Sequence, residues 1–167
     1  DGSPPAALMQ APLPPVGERR RTPDAAERFG ILLHALLERR TEGDTSEGWW
    51  EALGFSDADY RRVVPVAERI LAGPALQRFF DPAQYLRAWN EVDLAGPEGS
   101  LLRIDRLVEL DSGYWVLDYK SSGSGTERID DYRAQVSTYC RAVSAVFPQR
   151  PVRGALIFSD ASVVELV

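Results

Sequence analysis

The stretch Leu101–Ser121, LLRIDRLVELDSGYWVLDYKS, most constrains what this chain can fold into. Apolar residues flank an Asp-Ser-Gly turn signal, so it reads as two antiparallel strands of a hairpin. The hairpin carries charge in unusual places. Asp105 lies in the first strand, and Asp118 and Lys120 end the second, after the apolar pair Val116 and Leu117. Residues two apart on a strand share a face, so Asp118 and Lys120 project together and Tyr119 turns the other way. If the hairpin pairs in this register, Asp105 can lie across from them. Two carboxylates and an ammonium on one face suit a metal ion beside a lysine. In the first strand, alternation predicts Leu102, Ile104, Val108 and Leu110 on one face, with Arg103, Asp105 and Leu107 on the other.

The rest of the chain sets the bounds. At 167 residues it is long enough for one domain with a single sizeable core. With 44% hydrophobic and 26% charged residues, it has an ordinary globular composition. No apolar run approaches a membrane span and no signal peptide is evident. The single cysteine, Cys140, excludes an internal disulfide and a cysteine-ligated zinc or iron–sulfur cluster within the chain, and fits a reducing, cytoplasmic setting. A net charge of −6 argues mildly against binding nucleic acid by bulk electrostatics, although acids gathered around a metal would give the same sign. The first residue is Asp rather than Met, and the expectation is a piece of a longer protein.

Taken in order, residues 1–22 form a Pro-rich linker or arm ending in Arg19, Arg20 and Arg21, and residues 23–167 form the domain. Thr22-Pro23-Asp24 predicts a helix start capped by Thr22, with Phe29, Leu32, Leu33, Leu36 and Leu37 at helical spacing up to about Arg40. His34, the one histidine, sits in this stretch and taken alone reads as a core or surface residue. Helices follow over Trp49–Leu53, Asp57–Leu71 and Ala75–Phe80. Trp49, Trp50, Phe79 and Phe80 suit the core or a contact face better than a base-stacking platform. Strands are predicted over Tyr85–Leu94, Leu101–Leu110 and Tyr114–Lys120, the first carrying Glu91. After a Ser/Gly-rich loop comes a helix over Ile129–Phe147, in which Gln135 and Tyr139 share a face. A strand over Val152–Phe158 ends the pattern, with Val163–Val167 as a candidate fifth.

Phosphodiester hydrolysis needs an activated water, a Lewis acid on the phosphate and stabilisation of developing charge. Hard oxygen ligands such as Asp105 and Asp118 suit Mg²⁺ or Mn²⁺. Lys120 could position or deprotonate water, or stabilise the phosphate; neighbouring carboxylates favour its charged form and a metal cation opposes it. An Asp-x-Lys pair alone is usually a surface ion pair of small value. Its combination with Asp105, His34, Glu91, Gln135 and Tyr139 is much more specific.

Four segments in this order, GILLHALLE (30–38), RIDRL (103–107), VLDYKS (116–121) and YRAQVSTY (132–139), give the span from Phe29 to about Leu166 a resemblance to the C-terminal nuclease domain of RecB/AddA-type helicase–nucleases, in the PD-(D/E)XK superfamily. The resemblance implies a restriction-endonuclease-like α/β (mixed α+β) core, with a mixed sheet of about four strands flanked by helices and an N-terminal helical segment. It also implies metal-dependent cleavage of DNA, exonucleolytic before endonucleolytic. The metal ligands it implies are His34, Asp105, Asp118 and the Tyr119 carbonyl. Lys120 is the implied catalytic lysine, alongside Asp118 and Asp105, and Glu91 the acid of the preceding strand. Gln135 and Tyr139 are implied near the DNA backbone. Arg103 stands where the family generally has Gly, so it could alter how DNA or the neighbouring strand lies. Mg²⁺, with Mn²⁺ as substitute, is the implied cofactor, without an iron–sulfur cluster.

No phosphate-binding G-x-x-x-x-G-K-[ST] motif occurs, so any UvrD-type motor is expected elsewhere in a longer chain or in a partner such as an AddB/RecC-like subunit. The leading expectation is a Mg²⁺-dependent deoxyribonuclease module acting in double-strand-break repair and recombination. The rivals are a cleavage-incompetent module for DNA docking or subunit assembly, and a stand-alone nuclease.

Overall fold

The computed structural model describes residues 22–121 and 128–166. Most of the Pro-rich arm and of the Ser/Gly-rich loop lies outside these residues. Helix α1 spans Ala25–Thr41, and its cap is Asp24 rather than Thr22. Asp24 and Glu27 each accept the other's backbone N–H, so this capping box satisfies two orphan donors that Thr22, two residues too early, could not reach. Four leucines, Leu32, Leu33, Leu36 and Leu37, form the buried stripe of α1. Short α2 (Trp49–Ala52) leads to α3 (Asp57–Ala72), capped by a second box between Ser56 and Asp59. A 3-10 turn at Pro74–Leu76 runs into α4 (Gln77–Phe80).

Five strands follow: β1 (Arg87–Ala95), β2 (Leu101–Leu110), β3 (Gly113–Lys120), β4 (Val152–Phe158) and β5 (Val163–Leu166). They form one sheet in the order β1-β2-β3-β4-β5. All neighbours are antiparallel except β3 and β4, which are parallel and joined through helix α5 (Ile129–Val146). A parallel pair needs such a crossover. The sheet is therefore mixed, flanked by helices and of restriction-endonuclease-like type, with a short fifth strand completing one edge.

Two layers of side chains enclose the sheet. On one face α1 to α4 bury Leu33, Leu37, Ala67, Ile70 and Phe79 against Val108, Trp115, Leu117 and Tyr119. On the other, Val136, Tyr139 and Val143 of α5 meet Leu107, Tyr114, Val116, Leu156 and Phe158. Strand β3 is buried from Gly113 to Tyr119, and its exposure begins at Lys120. Trp50 stacks on Tyr60 at 3.7 Å and Phe79 is fully enclosed, so these aromatics serve the core.

Strand β2 departs from simple alternation. Ile104, with Leu102, packs on the α5 side, whereas Val108, with Leu110, packs on the α1 side. The expected single face is thus split. The break falls between the cross-strand pairs Asn90↔Arg106 and Val92↔Ile104, where Glu91 adopts φ 50, a left-handed conformation rare outside glycine. The pleat is interrupted there, so residues on either side of Asp105 change face.

The α5 layer rests on Gly154, where a Cβ would lie 2.2 Å from Val136 Cγ1 and 3.1 Å from Cys140 Sγ. Gly154→Val is expected to destabilise the fold by about 1–3 kcal/mol through overpacking. A urea denaturation midpoint equal to wild type would show that α5 does not sit this tightly.

Candidate active site

The sheet opens at the end of β3. Its ladder with β2 runs only as far as Arg106↔Leu117, while β3 stays paired with β4 through Lys120↔Phe158. The Tyr119 N–H, which faces the missing partner, instead donates to Asp105 Oδ2 at 2.7 Å. Helix α1 crosses this opening closely. A Cβ on Gly30 would lie 3.0 Å from Ser121 Oγ, and one turn later His34 Nε2 donates to the Tyr119 carbonyl at 3.0 Å. His34 Nδ1 lies 3.3 Å from Asp105 Oδ1. Glu91 is delivered by its left-handed backbone, and ligand atoms of His34, Glu91 and Asp105 all lie within 4.8 Å of one another. A residue held in a sparsely populated backbone region at such a cluster is a common sign of function.

Asp118 and Lys120 emerge beside this cluster on the α5 side. Lys120 Nζ lies 2.7 Å from Asp118 Oδ2 as an ion pair, donates to Gln135 Oε1 at 3.1 Å and sits 4.2 Å above the Tyr132 ring. Gln135 in turn donates to the Tyr139 hydroxyl at 2.9 Å. A lysine gripped by a carboxylate, an amide and an aromatic face is held in one place. Asp118 Oδ2 is buried and lacks a well-aligned hydrogen bond, so it retains acceptor capacity.

Over residues 11–165 the sequence matches the family described as the PD-(D/E)XK nuclease superfamily. The chain belongs to that superfamily. A comparison with curated proteins gives no match. Asp118-Tyr119-Lys120 has the D-x-K spacing in the superfamily's name, and membership implies a phosphodiesterase of nuclease type that uses divalent metals and acts on DNA.

The donor set fits such a cation. One imidazole, two clustered carboxylates, the Tyr119 carbonyl and the acceptor capacity of Asp118 form a mostly hard-oxygen environment. Asp118 itself stands outside the tight cluster of His34, Glu91 and Asp105, turned towards Lys120. Arg103 lies at the rim, 2.8 Å from Asp93 and 3.6 Å from Glu91.

The electrostatics of this candidate site follow from crowding acids around buried atoms. Burial and then the Asp105 charge push the Asp118 carboxyl up to about 6, against the opposing pull of Lys120. Burial disfavours charged His34, but its hydrogen bond to Asp105 and the charges of Asp105 and Asp118 outweigh this and leave it above 6.5. Burial also works against ionised Asp105, yet His34 and the Tyr119 N–H hold it below the usual carboxylate range. Glu91 is raised by burial, Asp105 and Glu38.

Sequence reasoning missed Glu38. It lies one turn beyond His34 on α1, and with Glu91 and Arg103 it lines a cleft of about 880 Å³ over the cluster. Burial and Glu42 raise its carboxyl. The signal is in the sequence: positions four apart on a helix share a face, so Glu38 shares the face of His34.

These shifts set a sign. Raised pKa values on Asp118 and His34 favour the protonated folded state, so their contribution to stability is lost as pH rises from about 4 through 6 and beyond. A cation bound among these groups competes with the same protons. Mn²⁺ affinity is therefore expected to rise at least roughly tenfold from pH 5.5 to 7.5, with protons released on binding. Calorimetry in buffers of different ionisation enthalpy measures both, and a pH-independent affinity would remove these groups from the binding site.

Proposed function

We propose that this domain hydrolyses DNA phosphodiester bonds with Mg²⁺ or Mn²⁺, exonucleolytically, as the C-terminal nuclease module of a RecB/AddA-like helicase–nuclease in double-strand-break repair. The observation that carries the reading is the continuity of two clusters at the open end of β3: His34, Glu91 and Asp105 on one side, Asp118 and Lys120 on the other. Superfamily membership supports the nuclease chemistry, and the four ordered motifs support the RecB/AddA assignment. A motor and an AddB/RecC-like subunit are the partners this assignment calls for.

His34, Asp105, Asp118, Glu91 and the Tyr119 carbonyl would hold the cation. When bound, a divalent cation supplies Lewis acidity at a phosphate oxygen and makes a nearby water more acidic. The chain's own part is positioning and charge. Lys120, fixed by Asp118, Gln135 and Tyr132, presents its ammonium beside the cluster, where it can offset charge developing on the phosphate. Charge neutralised at Asp118 by Lys120 also limits repulsion from Asp105. Gln135 and Tyr139 extend this polar line along α5 towards the nucleic-acid backbone, and Arg103 can exchange its carboxylate partners for a phosphate at the cleft rim.

Lys120→Ala and Asp118→Ala are each expected to lower Mn²⁺-dependent cleavage of linear DNA by roughly 100-fold or more while preserving the far-ultraviolet circular dichroism spectrum. Cleavage undiminished in both variants would sink the assignment. No cleavage together with no Mn²⁺ binding would favour the docking-module reading, whereas Mn²⁺ binding without cleavage would point to a missing motor. Product lengths from single-stranded and duplex substrates give the mode of attack.

A further inference from the structure

Arg106 follows Asp105 in β2 and is among the most enclosed side chains, with 2% of its surface accessible. Its guanidinium has no carboxylate partner among the described residues, and Nη2 has no hydrogen-bond partner at all. An unpaired buried charge is costly, so its neighbours show what keeps it there. Nε donates to the Phe79 carbonyl of α4 at 3.1 Å, and Nη1 donates to Asn90 Oδ1 on β1 at 2.9 Å. The rings of Phe80 and Tyr85 lie 5.4 and 5.5 Å from the guanidinium carbon.

The chain of bonds continues in one direction. Asn90 Nδ2 donates to Thr41 Oγ1 at 2.9 Å, and the Thr41 hydroxyl donates to the Leu37 carbonyl at 2.8 Å. Asn90 Nδ2 also reaches Glu42 Oε1 at 3.4 Å, and the Thr41 hydroxyl lies 2.9 Å from the Glu38 carbonyl. The amide at position 90 accepts from Arg106 through its oxygen while it donates to Thr41 through its nitrogen. The relay ties α4, β2, β1 and the last turn of α1 together. Asn90↔Arg106 is also the last regular cross-strand pair before the pleat breaks at Glu91 and Asp105. At the far end lies α1, which carries His34.

We propose that the Arg106–Asn90–Thr41 relay is the positioning device of the cation site, fixing where the backbone of Glu91 and Asp105 leaves the ladder and how far α1 holds His34 from them. The proposal rests on the metal-dependent reading above. The three residues touch neither substrate nor cation; they act through the three ligands.

Asn90→Ala, Thr41→Val and Arg106→Lys are compared with Val143→Ala, a core truncation on the opposite face of the sheet. The readouts are the urea midpoint and the Mn²⁺ dissociation constant of folded protein by calorimetry, with the Mn²⁺ paramagnetic resonance spectrum as a signature of ligand geometry. Asn90→Ala and Thr41→Val are expected to weaken Mn²⁺ binding by roughly tenfold and alter the spectrum, while Val143→Ala loses stability and keeps the wild-type constant. Thr41→Val leaves Arg106 and Asn90 bonded to each other, so it tests the relay even where Arg106→Lys fails to fold. Wild-type Mn²⁺ affinity and spectrum in Asn90→Ala and Thr41→Val would overturn the proposal, leaving the relay a purely structural feature. Absence of Mn²⁺ binding by the wild type would overturn it together with the reading on which it rests.

Discussion

A strand buried on both faces carries charge at least cost where it leaves the core, and β3 places its charges at that end. From Gly113 to Tyr119 it is enclosed between the α1 to α4 layer and α5, and it reaches exposure at Lys120. Its parallel pairing with β4 places that charged end beside the carboxyl end of a second strand, where open α/β sheets form crevices. Because β2 stops pairing first, Tyr119 offers an N–H to Asp105 and a carbonyl to His34. The backbone of one residue thus joins two strands and a helix at the site. Everything polar in the crevice is arranged around that opening.

The crevice concentrates negative charge in partly dehydrated surroundings. Asp105, Asp118, Glu91 and Glu38 affect one another's ionisation, and His34, Lys120 and, at the rim, Arg103 are the cations set against them. Such a group of acids gains little from the fold and is held in place by structure around it. The stabilising core lies elsewhere, in the leucine stripe of α1 and the two apolar faces of the sheet. The division is spatial: apolar packing fixes the strands, and the strands bring like charges closer than those charges would settle alone.

The elements were legible where one periodicity dominates. The stripe of α1, the hairpin of β2 and β3 and the long α5 follow from spacing and turn residues, and Asp118 and Lys120 share a face for the same reason. What could not be read arises across strands. Alternation assumes an unbroken pleat, so it placed Ile104 with Val108, and nothing local in the sequence marks Glu91 as left-handed. Alternation places Arg106 on the same face as Ile104 and Val108, but an arginine ordinarily faces water, so residue type masks the burial that position implies. The cap moved from Thr22 to Asp24 because reciprocal bonding with Glu27 outweighs the proline signal. Spacing alone pairs Asp118 with Lys120; the grouping of Glu91 with His34 and Asp105 comes only from the fold, which leaves Asp118 turned towards Lys120.

The contact at Gly154 has a consequence for how this sequence can change over time. Val136 and Cys140 fill the space that a side chain at position 154 would take, so the three positions share one fixed volume. Growth at one must be matched by shrinkage at another, in the same or a closely following mutational step. Gln135 adjoins Val136 on the helix, and Tyr139 adjoins Cys140. Drift in this small packed trio is therefore coupled to the placement of polar groups on α5, and lineages that exchange volume among 136, 140 and 154 keep the helix at its height above the sheet.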